Sequence, residues 1–449
     1  MDILALIPSF GGLFFTIAAF IAALLVIVTV HEYGHYIIGR LSGIHAEVFS
    51  IGFGPVLYSR QDRQGTRWQL AALPFGGYVK FLGDSDAASG KNGGMIAQMS
   101  DEEKRLTMHG APLWARAATV AAGPVFNFVF SVIVFGLFFL VQGVSTEVPA
   151  VGKVYPLPAQ TDQAPDTLFE GDRILAIDGQ PTPDDPAFAD VIESLDPAPV
   201  TQYRVERFGE EKQVTGPFPF PPRIGGVQPQ SAAMAAGLQE GDVILSVNGD
   251  PITAFSQLRD LIGASDGAPQ QLSVWRDGEV FDVTLTPRRK DLPLSDGGFE
   301  TRWLIGLTGS MAFAPELRTP GPLEAIQRGA EQTWYIATTS LSGLYHMVTG
   351  AISTCNLTGP IGIAEVSGAM ASQGTASFIW FIAILSTAVG LLNLFPVPVL
   401  DGGHLAFHAY EAVAGRPPSD RALRIMMAIG LALILSLMVF AVTNDLFCP

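Results

Sequence analysis

Four long apolar segments constrain this chain more than any other feature. They run from about residue 12 to 38, 117 to 141, 378 to 394 and 425 to 442. At 1.5 Å rise per residue, about 20 residues cross a ~30 Å hydrocarbon layer, and backbone polar groups at that depth must be paired inside helices or a closed barrel. The expected fold is therefore a polytopic α-helical membrane protein with four transmembrane helices, 1–40, 117–142, 376–400 and 424–443. Only 15% of the 449 residues are charged and 48% are hydrophobic, whereas soluble domains carry about 25% charge. The first segment lacks a basic leader and a small-residue cleavage site, so it reads as a retained span.

Orientation follows from the basic residues. The segment 39–116 holds nine Lys/Arg and 401–424 holds three, while the tails before 12 and after 442 hold none. Basic loops stay in the cytoplasm, which puts both termini and the large 143–374 insert on the other side. That insert has 14 Lys/Arg against 29 Asp/Glu and should repel nucleic acid, whose binding needs a basic face. Cys355 and Cys448 fall in no metal or redox spacing; one bridge between them stays open if both face an oxidising compartment.

With 48 Gly and 32 Pro, the chain needs β- or loop-rich pieces beside its helices. The insert supplies them as a repeat: FEGDRILAIDGQP (Phe169 to Pro181) recurs as QEGDVILSVNGDP (Gln239 to Pro251). Each copy reads as a Gly-Asp turn, an alternating strand, then an Asp-Gly or Asn-Gly turn. Two small α+β domains are expected, 149–218 and 219–290. They resemble PDZ domains, which take up extended peptide by strand addition. The first copy is degenerate, with APDTLFEGD (Ala164 to Asp172) in place of Ala-Gly-Leu. After them, 321–350 has helical apolar spacing with few charges and reads as an interfacial amphipathic helix, a partly buried fifth span being the alternative.

The first span contains HEYGH, residues 31–35. Positions i and i+4 share one helix face, so His31 and His35 can present two imidazoles to one metal with Glu32 beside them as general base. Such residues are costly in hydrocarbon, which favours function over chance. A catalytic zinc needs a third protein ligand and an open position. Asp401, in LLNLFPVPVLDGGH (Leu391 to His404), is the leading candidate; His404 and His408 compete. Pro396 and Pro398 break the helix there, leaving irregular backbone of the kind that lines wet cavities. Asn393, on the last turn before that break, can clamp a substrate backbone.

HEYGH in a first span, tandem PDZ-like domains and N-x-x-P-x-P-x-L-D-G in a later one together resemble the site-2 protease family of intramembrane metalloproteases. The resemblance covers nearly the whole chain. It implies a zinc metalloendopeptidase of the bacterial inner membrane. The resemblance likewise implies zinc ligands at His31, His35 and Asp401, a general base at Glu32 and a substrate-contacting role for Asn393. The substrates it implies are single-span membrane proteins of the anti-sigma-factor type, together with leftover signal peptides. It also implies a membrane-associated β-hairpin or sheet in the 41–116 loop, where His45 to Asp84 alternates suitably. Gly52, Gly54, Gly76 and Gly77 of that loop, with Pro396 and Pro398, complete the candidate substrate-binding set. TGPIGIA (Thr358 to Ala364) is another family-like stretch. A catalytically silent membrane scaffold recruiting peptides through its PDZ domains is the competing reading. A proton or metal transporter would need more polar residues than the lone Asn127 of the second span.

Overall fold

The computed structural model describes residues 7–84, 98–146, 148–158, 167–182, 185–294 and 298–448. Ala164 to Asp166 of the degenerate repeat copy lie outside the described residues. The chain divides into two units: one comprises residues up to 138, 323–344 and 357–448, the other 139–322 and 345–356.

The first unit is helical apart from one hairpin. Its long helices are α1 (Ile7–Leu41), α2 (Leu113–Gln142), α3 (Pro322–Val348), α4 (Pro360–Ser372), α5 (Thr375–Asn393), α6 (Asp401–Ala414) and α7 (Asp420–Phe447). Four of these, α1, α2, α5 and α7, are long and apolar enough to cross a membrane. Phe14, Ile17, Val129, Ile133, Leu433 and Val439 are exposed on them, a surface that suits acyl chains and not water.

Helices that cannot rely on hydrophobic burial in lipid pack through small residues. A Cβ on Gly34 of α1 would sit 2.5 Å from the Ala122 carbonyl oxygen of α2, so only glycine permits that crossing. The same device joins α3 to α2, where a Cβ on Gly136 would meet the Ala325 carbonyl at 3.1 Å and Gly329 faces the Val132 carbonyl. Within the 321–350 segment, α3 buries Ala325, Gly329, Thr333 and Ala337 and exposes Leu323, Trp334 and Tyr335. TGPIGIA marks a remote cap: the Asp445 carboxylate of α7 accepts from the backbone N–H groups of Gly359 (2.7 Å), Ile361 (3.0 Å) and Gly362 (3.1 Å) at the start of α4. Those N–H groups have no partner inside the helix, and a carboxylate there also meets the positive end of its dipole.

The hairpin pairs β1 (Ala46–Gln61) with β2 (Arg67–Phe81) antiparallel, with register shifts from Ala46 through Tyr58. Gly52, Gly54 and Gly76 adopt positive φ of 88°, 83° and 134°, a region open mainly to glycine. They let the strands bend where the register slips. Phe49, Val79 and Phe81 pack with Tyr36 of α1 in one buried cluster. The turn is locked by Asp62, whose carboxylate accepts from Gln64 N (2.8 Å), Thr66 N (3.0 Å), Trp68 Nε1 (3.2 Å) and the Tyr36 hydroxyl (3.1 Å). Burial pushes this carboxyl up, but those donors outweigh it and hold it below the ordinary aspartate range.

The second unit holds both repeat copies. Its first sheet runs β5–β4–β6–β7, with β4 (Arg173–Ile177), β5 (Gln180–Pro181), β6 (Thr201–Arg207) and β7 (Glu210–Gly216); β3 (Val151–Val154) precedes it. The second runs β12–β11–β9–β8–β13, with β8 (Arg223–Val227), β9 (Val243–Val247), β10 (Asp250–Pro251), β11 (Gln270–Arg276), β12 (Glu279–Leu285) and β13 (Leu307–Ser310), and β10 pairs on β9. The repeat has a physical cause. Asp172 and Asp242, both sealed from solvent, each cap a turn by accepting from the backbone N–H three residues earlier, Phe169 and Gln239, at 2.9 Å. Each also takes a two-pronged guanidinium, Arg207 at 2.7 and 2.8 Å and Arg276 at 2.6 and 2.7 Å. Asp178-Gly179 and Asn248-Gly249 have positive φ throughout, as a two-residue hairpin turn requires.

Two strands that belong to these modules lie beyond the 219–290 boundary, one in the second sheet and one in a separate two-stranded sheet with β3. Leu307–Ser310 pairs with β8, and β14 (Phe313–Pro315) then pairs with β3 of the first copy. Ile305 enters the second core and Ala312 and Phe313 the first. The second module is thus inserted ahead of the last strand of the first. Cys355 and Cys448 are both disulfide-bonded.

Candidate metal centre

The histidines lie in the C-terminal third of a 35-residue helix and one turn apart, so α1 turns both imidazoles to one side. Their Nε2 atoms are 3.1 Å apart. Asp401 arrives from the opposite direction. α5 ends at Asn393, the chain turns through Leu394 to Leu400, and α6 starts at Asp401. The Gly-Gly after Asp401 makes this turn possible. A Cβ on Gly402 would overlap the Leu394 and Phe395 carbonyls, and one on Gly403 would lie 2.5 Å from the Pro398 Cα. Asp401 Oδ2 ends 3.1 Å from His31 Nε2 and 3.5 Å from His35 Nε2.

Three donor atoms within 4.8 Å of one another form the one such grouping among the described residues. Around a tetrahedral zinc with bonds of about 2.0–2.2 Å, neighbouring ligand atoms stand roughly 3.3–3.6 Å apart, close to the 3.1–3.5 Å separations here. Two further observations fit a cation. Asp401 Oδ2 is cut off from solvent and makes no well-oriented hydrogen bond. Gly123 of α2 also leaves open the space beside the rings, since a Cβ there would fall 2.6 Å from His35 Cε1 and 2.8 Å from His31 Cε1. Two imidazoles and one carboxylate leave a fourth position free, the pattern of a catalytic and not a structural zinc.

The outward-facing ring nitrogens are also held. His35 Nδ1 donates to the Thr119 carbonyl at 2.8 Å, and His31 Nδ1 lies 3.3 Å from the Asn127 amide, both on α2. Fixing Nδ1 leaves Nε2 free to ligate. Glu32, beside the histidines, also touches the hairpin: its carboxylate meets the Val79 backbone, and a Cβ on Gly77 would lie 3.3 Å from Glu32 Cγ. Gly77 therefore sets how closely β2 approaches the Glu32 side of α1. His404 and His408 follow Asp401 along α6 outside the cluster. Burial, with the nearby Arg116 guanidinium, pushes His408 down to about 4. Arg116 of α2 grips Glu411 of α6 with two bonds of 3.0 and 2.7 Å. The Asn393 amide donates to the Val389 carbonyl of its own helix at 3.1 Å, and the Pro398 ring packs on Gly430 of α7. Pro396 is exposed.

Sequence reasoning passed over Thr119, Gly123 and the contact of Asn127. A backbone carbonyl and a missing Cβ have no side-chain signature. The polar Asn127 in an apolar helix was a readable sign, because such a group has to find a partner.

A His-His-Asp cluster able to hold a metal ion, on helices apolar enough to cross a membrane and with a glutamate on the adjoining residue, has the make-up of a membrane metallohydrolase centre. Comparison gives the family. The profile described as peptidase family M50 matches residues 19–437, and the chain belongs to that family, the site-2 proteases. It is 34% identical to the regulator of sigma-E protease RseP of Salmonella typhimurium, over 97% of this chain and 99% of that protein. It is 32% identical to the protease RseP of Yersinia pestis over 97% and 99%. A Rhizobium meliloti protein whose name marks it provisionally as a zinc metalloprotease is 37% identical over 96% of each chain. The protein is a site-2-type zinc metalloprotease.

Proposed function

We propose that this enzyme hydrolyses peptide bonds within the transmembrane segments of membrane proteins already trimmed on the outer side, with His31, His35 and Asp401 holding zinc and Glu32 as general base. The convergence of those three donor atoms from two separate helices carries the reading. When bound, zinc supplies Lewis acidity, polarising a carbonyl and making water a nucleophile near neutral pH. Glu32 accepts the proton that water gives up and delivers it to the leaving amine. A helical substrate shields its carbonyls, so it has to unwind first. Residues 48–51 of β1 have partners on both sides, 67–70 and 77–80, whereas 53–61 and 77–81 each pair on one side only among the described residues, and strand addition at such an open edge replaces the backbone bonds that unwinding breaks. Gly52, Gly54, Gly76 and Gly77 shape that edge, and Asn393, Pro396 and Pro398 frame the other approach to the metal.

The termini and the acidic insert are assigned to the periplasm of a bacterial inner membrane, with the zinc site toward the cytoplasm, from the basic-residue asymmetry. The substrates are assigned to single-span proteins of the anti-sigma-factor type and remnant signal peptides, in keeping with the sigma-E regulator named among the relatives. The two repeat modules are assigned as PDZ-like domains. They act as a size filter or docking platform that turns away untrimmed substrates. Purified Glu32→Gln protein should bind zinc with wild-type stoichiometry and lose cleavage of a single-span substrate by ~10²-fold or more; cleavage at the wild-type rate rejects the general-base role. Removing both modules as one piece, 149–318, should let untrimmed substrates be cut. Unchanged resistance of those substrates removes the filter.

A further inference from the structure

Asn127 is fully buried on α2, at the meeting point of three helices. Its backbone carbonyl accepts from the Ser131 hydroxyl (3.0 Å) of its own helix and from the Ser386 hydroxyl (3.1 Å) of α5. A Cβ on Gly390 of α5 would lie 3.2 Å from the Asn127 Cβ, so neither its backbone nor its Cβ has room to shift. Its amide nitrogen stands 3.3 Å from His31 Nδ1, while its Oδ1 is sealed from solvent with no hydrogen-bond partner.

These facts conflict if His31 ligates zinc through Nε2. A neutral imidazole has one N–H; with Nε2 on the metal, the proton sits on Nδ1, which then donates and needs an acceptor. His35 has one, the Thr119 carbonyl at 2.8 Å, an oxygen that can only accept. His31 faces an amide that can offer either atom. A half-turn of that amide places Oδ1 on the ring and resolves both problems, giving Nδ1–H an acceptor and the orphaned oxygen a donor.

We infer that Asn127 is a positioning residue that locks His31 into the Nε2-ligating tautomer by accepting from Nδ1–H through Oδ1. This rests on the metal assignment proposed above. Asn127 touches neither substrate nor metal; it acts through His31.

The test uses full-length protein in detergent, with zinc affinity measured by chelator competition. Asn127→Leu keeps the volume and removes the acceptor, and should bind zinc about 10–100-fold more weakly. Asn127→Asp keeps an acceptor and has no donor when ionised, and should stay within about threefold of wild type. Leu binding as tightly as wild type, or Asp failing as badly as Leu, overturns the inference. If the Leu variant does not fold, ¹⁵N-histidine NMR of the zinc-loaded wild type decides, because the proton of His31 should be on Nδ1. A His31 protonated at Nε2 and bound through Nδ1 overturns it. Wild-type protein that takes up no zinc would sink the metal assignment itself, and this inference with it.

Discussion

Replacing Gly123 with alanine adds one methyl group and should disable the metal site. The new carbon would be 2.6 Å from His35 Cε1 and 2.8 Å from His31 Cε1, where non-bonded carbons rest at about 3.5–4.0 Å. One partner has to yield by roughly 1 Å. The His35 ring can turn, which breaks its 2.8 Å bond to Thr119 and moves Nε2 off the metal. Alternatively α2 can retreat, which opens the crossing that Gly34 closes against Ala122. Metal sites accept ligand displacements of about 0.2 Å, so a 1 Å shift should weaken zinc by ~100-fold or more, beyond what the loss of a supporting hydrogen bond does. Overpacking should also lower stability by about 1–3 kcal/mol. Chelator competition and thermal unfolding of the purified protein measure the two effects. Gly263→Ala is the control, since a Cβ there meets nothing within 4 Å. An alanine variant with wild-type zinc affinity and an unchanged unfolding temperature would refute the claim that Gly123 keeps the ligand space open.

Three further outcomes follow from features of the first unit. Because the folded Asp62 carboxyl is held below its ordinary range, its stabilisation should be complete above about pH 4 and fade as pH falls further. Asp62→Asn should remove roughly 1–3 kcal/mol at neutral pH and flatten that acid dependence, and parallel unfolding profiles for the two proteins count against it. Arg116→Glu and Glu411→Arg should each weaken zinc by loosening α6 behind Asp401, and the double swap should recover much of the loss in a double-mutant cycle; an additive double variant argues against coupling. Asp445→Ala should lose the remote cap of α4 at a cost of about 0.5–2 kcal/mol, read by thermal unfolding, and hydrogen exchange at Gly359, Ile361 and Gly362 should speed up. Unchanged exchange there denies the cap.

Much of the metal site can be read from local spacing. His31 and His35 share a face because helical geometry allows nothing else, and an apolar setting makes a chance cluster expensive. Asp401 is less legible: its place just past an apolar helix made it the leading candidate over His404 and His408, but nothing in its neighbourhood says which remote helix it meets. Thr119 and Gly123 were out of reach, as one acts through its main chain and the other through what it lacks. In the insert, the Gly-Asp turns announced the two modules, since buried Asp172 and Asp242 each need the same cap and the same arginine partner. The strands at 307–310 and 313–315 gave no warning, being short and without a repeated motif. The 321–350 segment showed an apolar face but not its occupant. Gly329 and Gly136 name that occupant only once α2 and α3 are seen side by side.

The late strand Phe313–Pro315 has a consequence for how the protein is made. A ribosome finishes every residue of the inner module before it reaches the piece that completes the outer one. The outer module therefore waits, incomplete and with an open edge, through the whole synthesis of its neighbour. A nascent chain stalled in that interval exposes an unpaired β3, which makes this stretch of translation the moment when help from a chaperone would matter most.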